Sequence, residues 1–152
     1  MKRIAVFPGS FDPFTIGHES IVCRSLDLFD EIIVAVGKNS TKGSMFSLEK
    51  RIGWIQEIFK DVPKVSVDSY EGLTVEYCRK VDAGFILRGL RTSADFNYER
   101  PIAQMNKTML YSVESIFMMT LPELSAISST VIRDIVRNGG DASPFVPEAV
   151  KF

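Results

Sequence analysis

The chain has little metal-binding or redox chemistry to draw on: one histidine, His18, and two cysteines, Cys23 and Cys78, in 152 residues. The thiols are far apart and form no CxxC, so with a single imidazole they cannot assemble a zinc site of the usual spacings. They read as reduced, partly buried small hydrophobes of a cytosolic protein. A net charge of −1 gives no basic field to hold long nucleic acid. No apolar run approaches the ~18 residues of a membrane helix. Only four apolar residues separate Arg3 from Pro8, too few for a signal-peptide core. Both common phosphate signatures are missing: there is no GxGxxG, and GKNST at 37–41 lacks the earlier glycine and the Gly-Lys-Ser/Thr ending of a P-loop. Low-complexity tracts, internal repeats and Gly/Ser/Pro-rich linkers are also missing. A soluble cytoplasmic protein of one domain, 1–152, is expected, with neither nucleic acid nor membrane as partner.

What is present is alternation. Hydrophobic residues make up 45% and charged residues 24%, an ordinary globular balance. RIAVF (3–7), EIIVAVG (31–37), KVSVDSY (64–70), AGFILRG (83–89) and VESIFMM (113–119) read as strands rich in β-branched residues. Between them lie helical periods: residues 18–29 with Val22, Leu26 and Phe29 on one face, and a helix capped by Ser47 with Leu48, Ile52, Ile55 and Phe59. A shorter helix covers 74–81, and a last one opens at Ser128 or Ser129. The pattern predicts α/β: an open five-stranded parallel sheet, Rossmann-like, with helices on both faces. Pro101 interrupts a helical stretch, and a break near Arg100 or a new helix beginning at Pro101 is expected.

In such sheets the ligand sits beyond the carboxyl ends of the strands. That nominates the loops at 8–17, 38–46 and 88–91. In PGSFDPFTIGH, Gly9 would let backbone N–H groups approach an anion, and Gly17 would keep the helix start clear of side chains. His18 stands at that helix entrance as either a ligand donor or a histidine satisfied by local backbone. Lys42, Arg88 and Arg91 add cations from converging loops, each of which could equally be a solvated surface charge. Arg133 falls in the first turn of the last helix, where the dipole disfavours a cation, and so suggests a local anion. Ser128, Ser129 and Thr130 place three hydroxyls at that helix start, more than one cap needs. Asp95 and Glu99 lie four apart, either an acid–base pair or a solvated face.

With these residues in view, the chain resembles the bacterial phosphopantetheine adenylyltransferases, nucleotidylyltransferases that share an (H/T)xGH motif with class I aminoacyl-tRNA synthetases. FPGSFDPFTIGH (7–18), KGSMF (42–46), RGLRTSADFNYE (88–99) and ISSTVIR (127–133) carry the likeness, in order, over nearly the whole chain. Ser10 stands where the family usually has threonine, and Thr74 where it often has Leu or Met.

The resemblance implies a nucleotidylyltransferase-type sheet and the reaction of ATP with 4′-phosphopantetheine to 3′-dephospho-coenzyme A and pyrophosphate. Mg2+ is the implied cofactor and a homohexamer the implied assembly. His18 is implied as transition-state stabiliser and ATP contact, with Lys42 and Arg91 neutralising charge beside it. Ser10, Lys42, Thr74 and Arg88 would hold phosphopantetheine. Ser10 and Phe11, then Gly89, Leu90 and Arg91, then Glu99 would line the ATP site. The segment Leu124, Ser125, Ala126, Ile127, Ser128, Ser129 and Thr130 would complete it. No protein side chain is expected to ligate the metal. Other acceptors on the same fold, such as nicotinate mononucleotide or a small alcohol phosphate, and a nucleotide-binding module without turnover, are the alternatives.

Overall fold

The computed structural model describes residues 1–38 and 43–152. Five strands form one parallel sheet: β1 (Ile4–Gly9), β2 (Glu31–Gly37), β3 (Val65–Tyr70), β4 (Phe85–Leu90) and β5 (Glu114–Met119). Between and after them run α1 (Ile16–Ser25), α2 (Leu48–Ile58), α3 (Thr74–Val81), α4 (Ser93–Met109) and α5 (Ser129–Arg137). The expected α/β architecture is observed. Among the described residues no helix is long and apolar enough to cross a membrane.

Strand side chains alternate between two apolar layers, as a period of two requires. Ala5, Phe7, Ile32, Val34 and Val36 join one core with Ile21, Val22 and Ile55 of α1 and α2. Val6, Ile33, Ala35 and Ile86 join another with Val75 and Cys78 of α3. Each fully buried aliphatic side chain contributes about 1.5–3 kcal/mol, which is why the central strands are apolar on both faces. Cys23, read from the sequence as partly buried, is exposed, while Cys78 is buried.

The strand order is β3-β2-β1-β4-β5. The chain winds outward from β1 through β2 to β3, then crosses to β4 on the other side of β1. The β1–β4 seam is therefore the switch point at which a ligand crevice opens. The β1–β4 ladder pairs Ala5 with Phe85 and Val6 with Ile86, and ends there. The guanidinium of Arg88 takes over where it stops, donating from Nη1 to the Pro8 carbonyl at 2.5 Å.

Two local expectations are corrected. α1 starts at Ile16 rather than His18 and ends at Ser25, because Thr15 caps it and the chain turns after Ser25. α4 runs unbroken through Pro101. An interior proline costs ~3 kcal/mol by losing one backbone bond and crowding the preceding turn. Here a Thr92–Asp95 capping box fixes the start of the helix, and the Arg88–Glu99 ion pair holds it to the sheet two residues before the proline. Asn97, whose carbonyl loses its donor, is on the exposed side, where water can replace the bond.

Candidate active site

Phe11 shapes the first loop. Its backbone is left-handed (φ 48°) and its ring is buried, 3% exposed, against Phe7, Phe14 and His18. Gly9 makes room for that ring: a Cβ there would lie 2.9 Å from it. The space at Gly9 thus admits an aromatic side chain, a different use from the anion approach expected of it.

Thr15 and His18 form a reciprocal cap on α1. The His18 amide donates to Thr15 Oγ1 at 3.2 Å, and the Thr15 amide donates to His18 Nδ1 at 2.9 Å. In this role histidine replaces the usual Glu or Gln of a capping box. Nδ1 is thereby an acceptor, so the proton of the neutral ring sits on Nε2 and can be donated. The pKa of His18 is lowered from 6.5 to about 3, first by desolvation and then by the positive fields of Arg88 and Arg91. Of the two readings of His18 left open by the sequence, the local one is met: Nδ1 is satisfied by the Thr15 amide, while the residue also lines a cavity.

A cavity of about 270 Å³ opens above this cap. His18, Ser10, Gly89, Arg88, Arg91 and the first residues of α5 surround it. A second cavity, about 210 Å³, lies on the other side of Arg88, with Thr74, Tyr70, Glu99 and Asn106 in its wall. Arg88 borders both. Its Nε and Nη2 donate to Glu99 Oε1 at 3.2 and 2.6 Å. Thr74 Oγ1 and Tyr70 Oη are hydrogen-bonded at 2.9 Å.

The three hydroxyls at the start of α5 have distinct uses. Ser128 Oγ caps the helix, accepting from the Val131 amide, and Ser129 Oγ donates to the Pro13 carbonyl at 2.8 Å. Thr130 Oγ1 accepts from Arg133. What the helix start offers an anion is its backbone N–H groups and dipole. The anion inferred for Arg133 is internal: Nη1 donates to the Asp12 carbonyl at 2.9 Å and lies 3.9 Å from its carboxylate.

Asp95 and Glu99 are not an acid–base pair. The Asp95 carboxylate caps α4, accepting from the Arg91 and Thr92 amides, while Glu99 holds Arg88. Of the remaining expected site residues, Ser10 lines the first cavity and Thr74 the second. Ile127 also lines the first, whereas Leu90 points into buried surroundings. Leu124, Ser125 and Ala126 lead into α5, and the Ser125 carbonyl accepts from Arg91 at 3.4 Å. Lys42 lies outside the described residues.

Asp12 and Arg51 were missed by sequence reasoning. The Asp12 carboxylate, 4% exposed in its residue, accepts the Met45 and Phe46 amides at 2.8 and 2.9 Å. It ties the loop after β2 to the loop after β1. Arg51 is fully buried and donates to the Ser10 and Phe46 carbonyls at 2.7 and 3.0 Å. Its place three residues after Leu48 and four before Ile55 puts it on the apolar stripe of α2, a signal that it turns inward.

A crevice at the strand switch point, bordered by helix starts and arginines, suits a phosphorylated ligand on an α/β sheet. The cytidylyltransferase-like family matches residues 6–135. A phosphopantetheine adenylyltransferase of Flavobacterium psychrophilum is 57% identical, covering 98% of each chain, and one of Flavobacterium johnsoniae is 52% identical over 98% of this chain and 97% of that one. The chain belongs to the phosphopantetheine adenylyltransferase family and is a nucleotidyltransferase. Solved structures of low identity share the fold. A bifunctional NMN adenylyltransferase/ADP ribose pyrophosphatase from Francisella tularensis, complexed with AMP and manganese, superposes with a TM-score of 0.72 at 17% identity. It covers 100% of this chain and 46% of that one. A lipopolysaccharide core biosynthesis protein from Thermoplasma volcanium gives 0.60 at 19% identity, over 80% and 99% of the two chains.

Proposed function

We propose that the first cavity holds the phosphates of ATP, the second holds 4′-phosphopantetheine, and Arg88 stands between the two reacting phosphates. The protein transfers the adenylyl group of ATP to 4′-phosphopantetheine, giving 3′-dephospho-coenzyme A and pyrophosphate. The observation that carries this assignment of the cavities is the position of Arg88 in the wall of both.

A phosphate oxygen of 4′-phosphopantetheine attacks the α-phosphorus of ATP and forms the new P–O bond. The bond from that phosphorus to the α–β bridging oxygen breaks, and pyrophosphate leaves with the electron pair. The nucleophile is already an oxyanion, so neither a protein nucleophile nor a strong general base is required. The protein brings two polyanions together, aligns the attacking and leaving oxygens and stabilises charge as it redistributes at the α-phosphate. The His18 Nε2 proton, Arg88, Arg91, Lys42 and the start of α5 act as donors. Ser10 lines the nucleotide cavity, and Thr74 faces the pantetheine arm.

Mg2+ enters as part of the nucleotide substrate, with phosphate oxygens as its ligands. Among the described residues no group of three or more His, Cys, Asp or Glu converges to hold a resident ion. A cytoplasmic location suits an enzyme that consumes ATP.

Incubated with ATP, Mg2+ and 4′-phosphopantetheine, the purified protein is expected to release pyrophosphate, and to release none with nicotinate mononucleotide or glycerol 3-phosphate as acceptor. Release with nicotinate mononucleotide alone would overturn the reading.

The assembly we expect is a homohexamer. Tyr98, Ile102, Met105 and Met109 fall on one side of α4 and are 41–70% exposed, an apolar stripe beside the second cavity that further copies of the chain would cover. Light scattering should give six times the mass of one chain, and Met105→Glu should shift it downward. A monomer at micromolar concentration would refute this assembly.

A further inference from the structure

We propose that Arg51 is a positioning residue for the nucleotide: from inside the fold it orients the Ser10–Phe11 peptide so that the Phe11 amide faces the first cavity. The inference rests on the cavity assignment above. Arg51 is fully buried on the apolar stripe of α2, where a leucine would pack without the cost of taking a charge out of water. Its donors go to main-chain oxygens. Nε donates to the Phe46 carbonyl at 3.0 Å and the Ser47 carbonyl at 3.4 Å, and Nη1 donates to the Ser10 carbonyl at 2.7 Å. A trans peptide is planar, with its C=O and N–H pointing in opposite directions. With the Ser10 oxygen held by Arg51, the Phe11 N–H is directed away from α2. Among the described residues that amide has no acceptor, and Ser10 and Phe11 both border the first cavity. The Phe11 ring carries no donor, so the amide is what this residue can offer a phosphate oxygen. The backbone here needs holding: Phe11 is left-handed at φ 48°, a region that bulky side chains seldom occupy. The space at Gly9 seats the ring, and Arg51 fixes the carbonyl before it. The loop before α2 has a second tie, because Asp12 accepts the Met45 and Phe46 amides, whereas the Ser10 carbonyl is held from Arg51. Removing the guanidinium therefore loosens the nucleotide side first.

The role predicts a loss that separates the two substrates. Arg51→Met and Arg51→Lys are compared with the unmodified protein by calorimetric binding of ATP and of 4′-phosphopantetheine separately, and by kcat and KM for each. Trp54, the chain's single tryptophan and a neighbour of Phe46, reports the folded state by its fluorescence. Arg51→Met is expected to weaken ATP on the order of tenfold, the worth of one hydrogen bond to a charged phosphate, and to raise the KM for ATP alike with a smaller change in kcat. Affinity for 4′-phosphopantetheine should stay as it was. Arg51→Lys keeps the charge but not the planar fork, so it should show a smaller loss of the same kind, and it carries the test if Arg51→Met does not fold. Equal losses for both substrates would overturn the proposal and leave Arg51 a purely structural residue. Unchanged ATP affinity in a folded variant would overturn it as well. Failure of the unmodified protein to transfer adenylyl groups would overturn the function instead, and the ATP-binding comparison would still decide the role of Arg51.

Discussion

His18→Ala is expected to lower turnover by about 10²–10³-fold, the usual loss when one donor to a developing oxyanion is removed. The effect belongs in kcat more than in KM, because the Nε2 proton gains most where charge builds on the α-phosphate. Near-normal turnover in a folded variant would remove the imidazole from the mechanism. The structure adds that the donor is neutral before substrate binds. Thr15 places its amide against Nδ1, and the ring's pKa is lowered to about 3. As the chain has only this one histidine, its imidazole signals can be followed without assignment ambiguity. In the ligand-free protein they should not titrate between pH 5 and 8, and the nitrogen shifts should report an Nε2–H tautomer. A titration near 6.5 would contradict the cap. The stability consequence has a definite sign. Between about pH 6.5 and about pH 3 the unfolded chain binds a proton at His18 that the native state refuses. The contribution of neutral His18 to stability is therefore complete above pH 6.5 and is lost as pH falls toward 3.

The second large effect is expected at Asp12. Its carboxylate accepts two backbone amides and lies 3.9 Å from the Arg133 guanidinium, which itself donates to the Asp12 carbonyl, so this residue links the loops after β1 and β2 to the start of α5. Asp12→Ala leaves the Met45 and Phe46 amides without their acceptor in a buried place. Lost charge-assisted hydrogen bonds of this kind cost about 1.5–3 kcal/mol each, so about 3–6 kcal/mol is expected for the pair. That is a large share of a total stability of about 5–15 kcal/mol. Asp12→Asn keeps the shape but sets an amide NH2 against one backbone N–H, and should lose less than alanine does. Denaturant midpoints at constant slope measure both. A shift below about 0.5 kcal/mol for Asp12→Ala would mean that the loops are held by other contacts.

Much of this protein was legible in the order of its residues. The β-branched runs and the helical periods between them specify a parallel α/β sheet, because burial on both faces leaves apolar residues at nearly every strand position. The motifs at 7–18, 88–99 and 127–133 mark loops that border the two cavities, since glycines, hydroxyls and arginines are unusual together at helix entrances. Pro101 misled, because a helix anchored by a cap and an ion pair can carry one lost bond. What only the tertiary structure decided is pairing across distance. That Glu99 meets Arg88, that Asp12 meets Met45 and Phe46, and that Arg51 reaches Ser10 depend on how strands and helices pack side by side. The tautomer of His18 was settled the same way, by the folded loop that sets the Thr15 amide against Nδ1. A hydrogen bond is directional and acts over about 3 Å, so its partners are set by the finished packing and not by spacing along the chain.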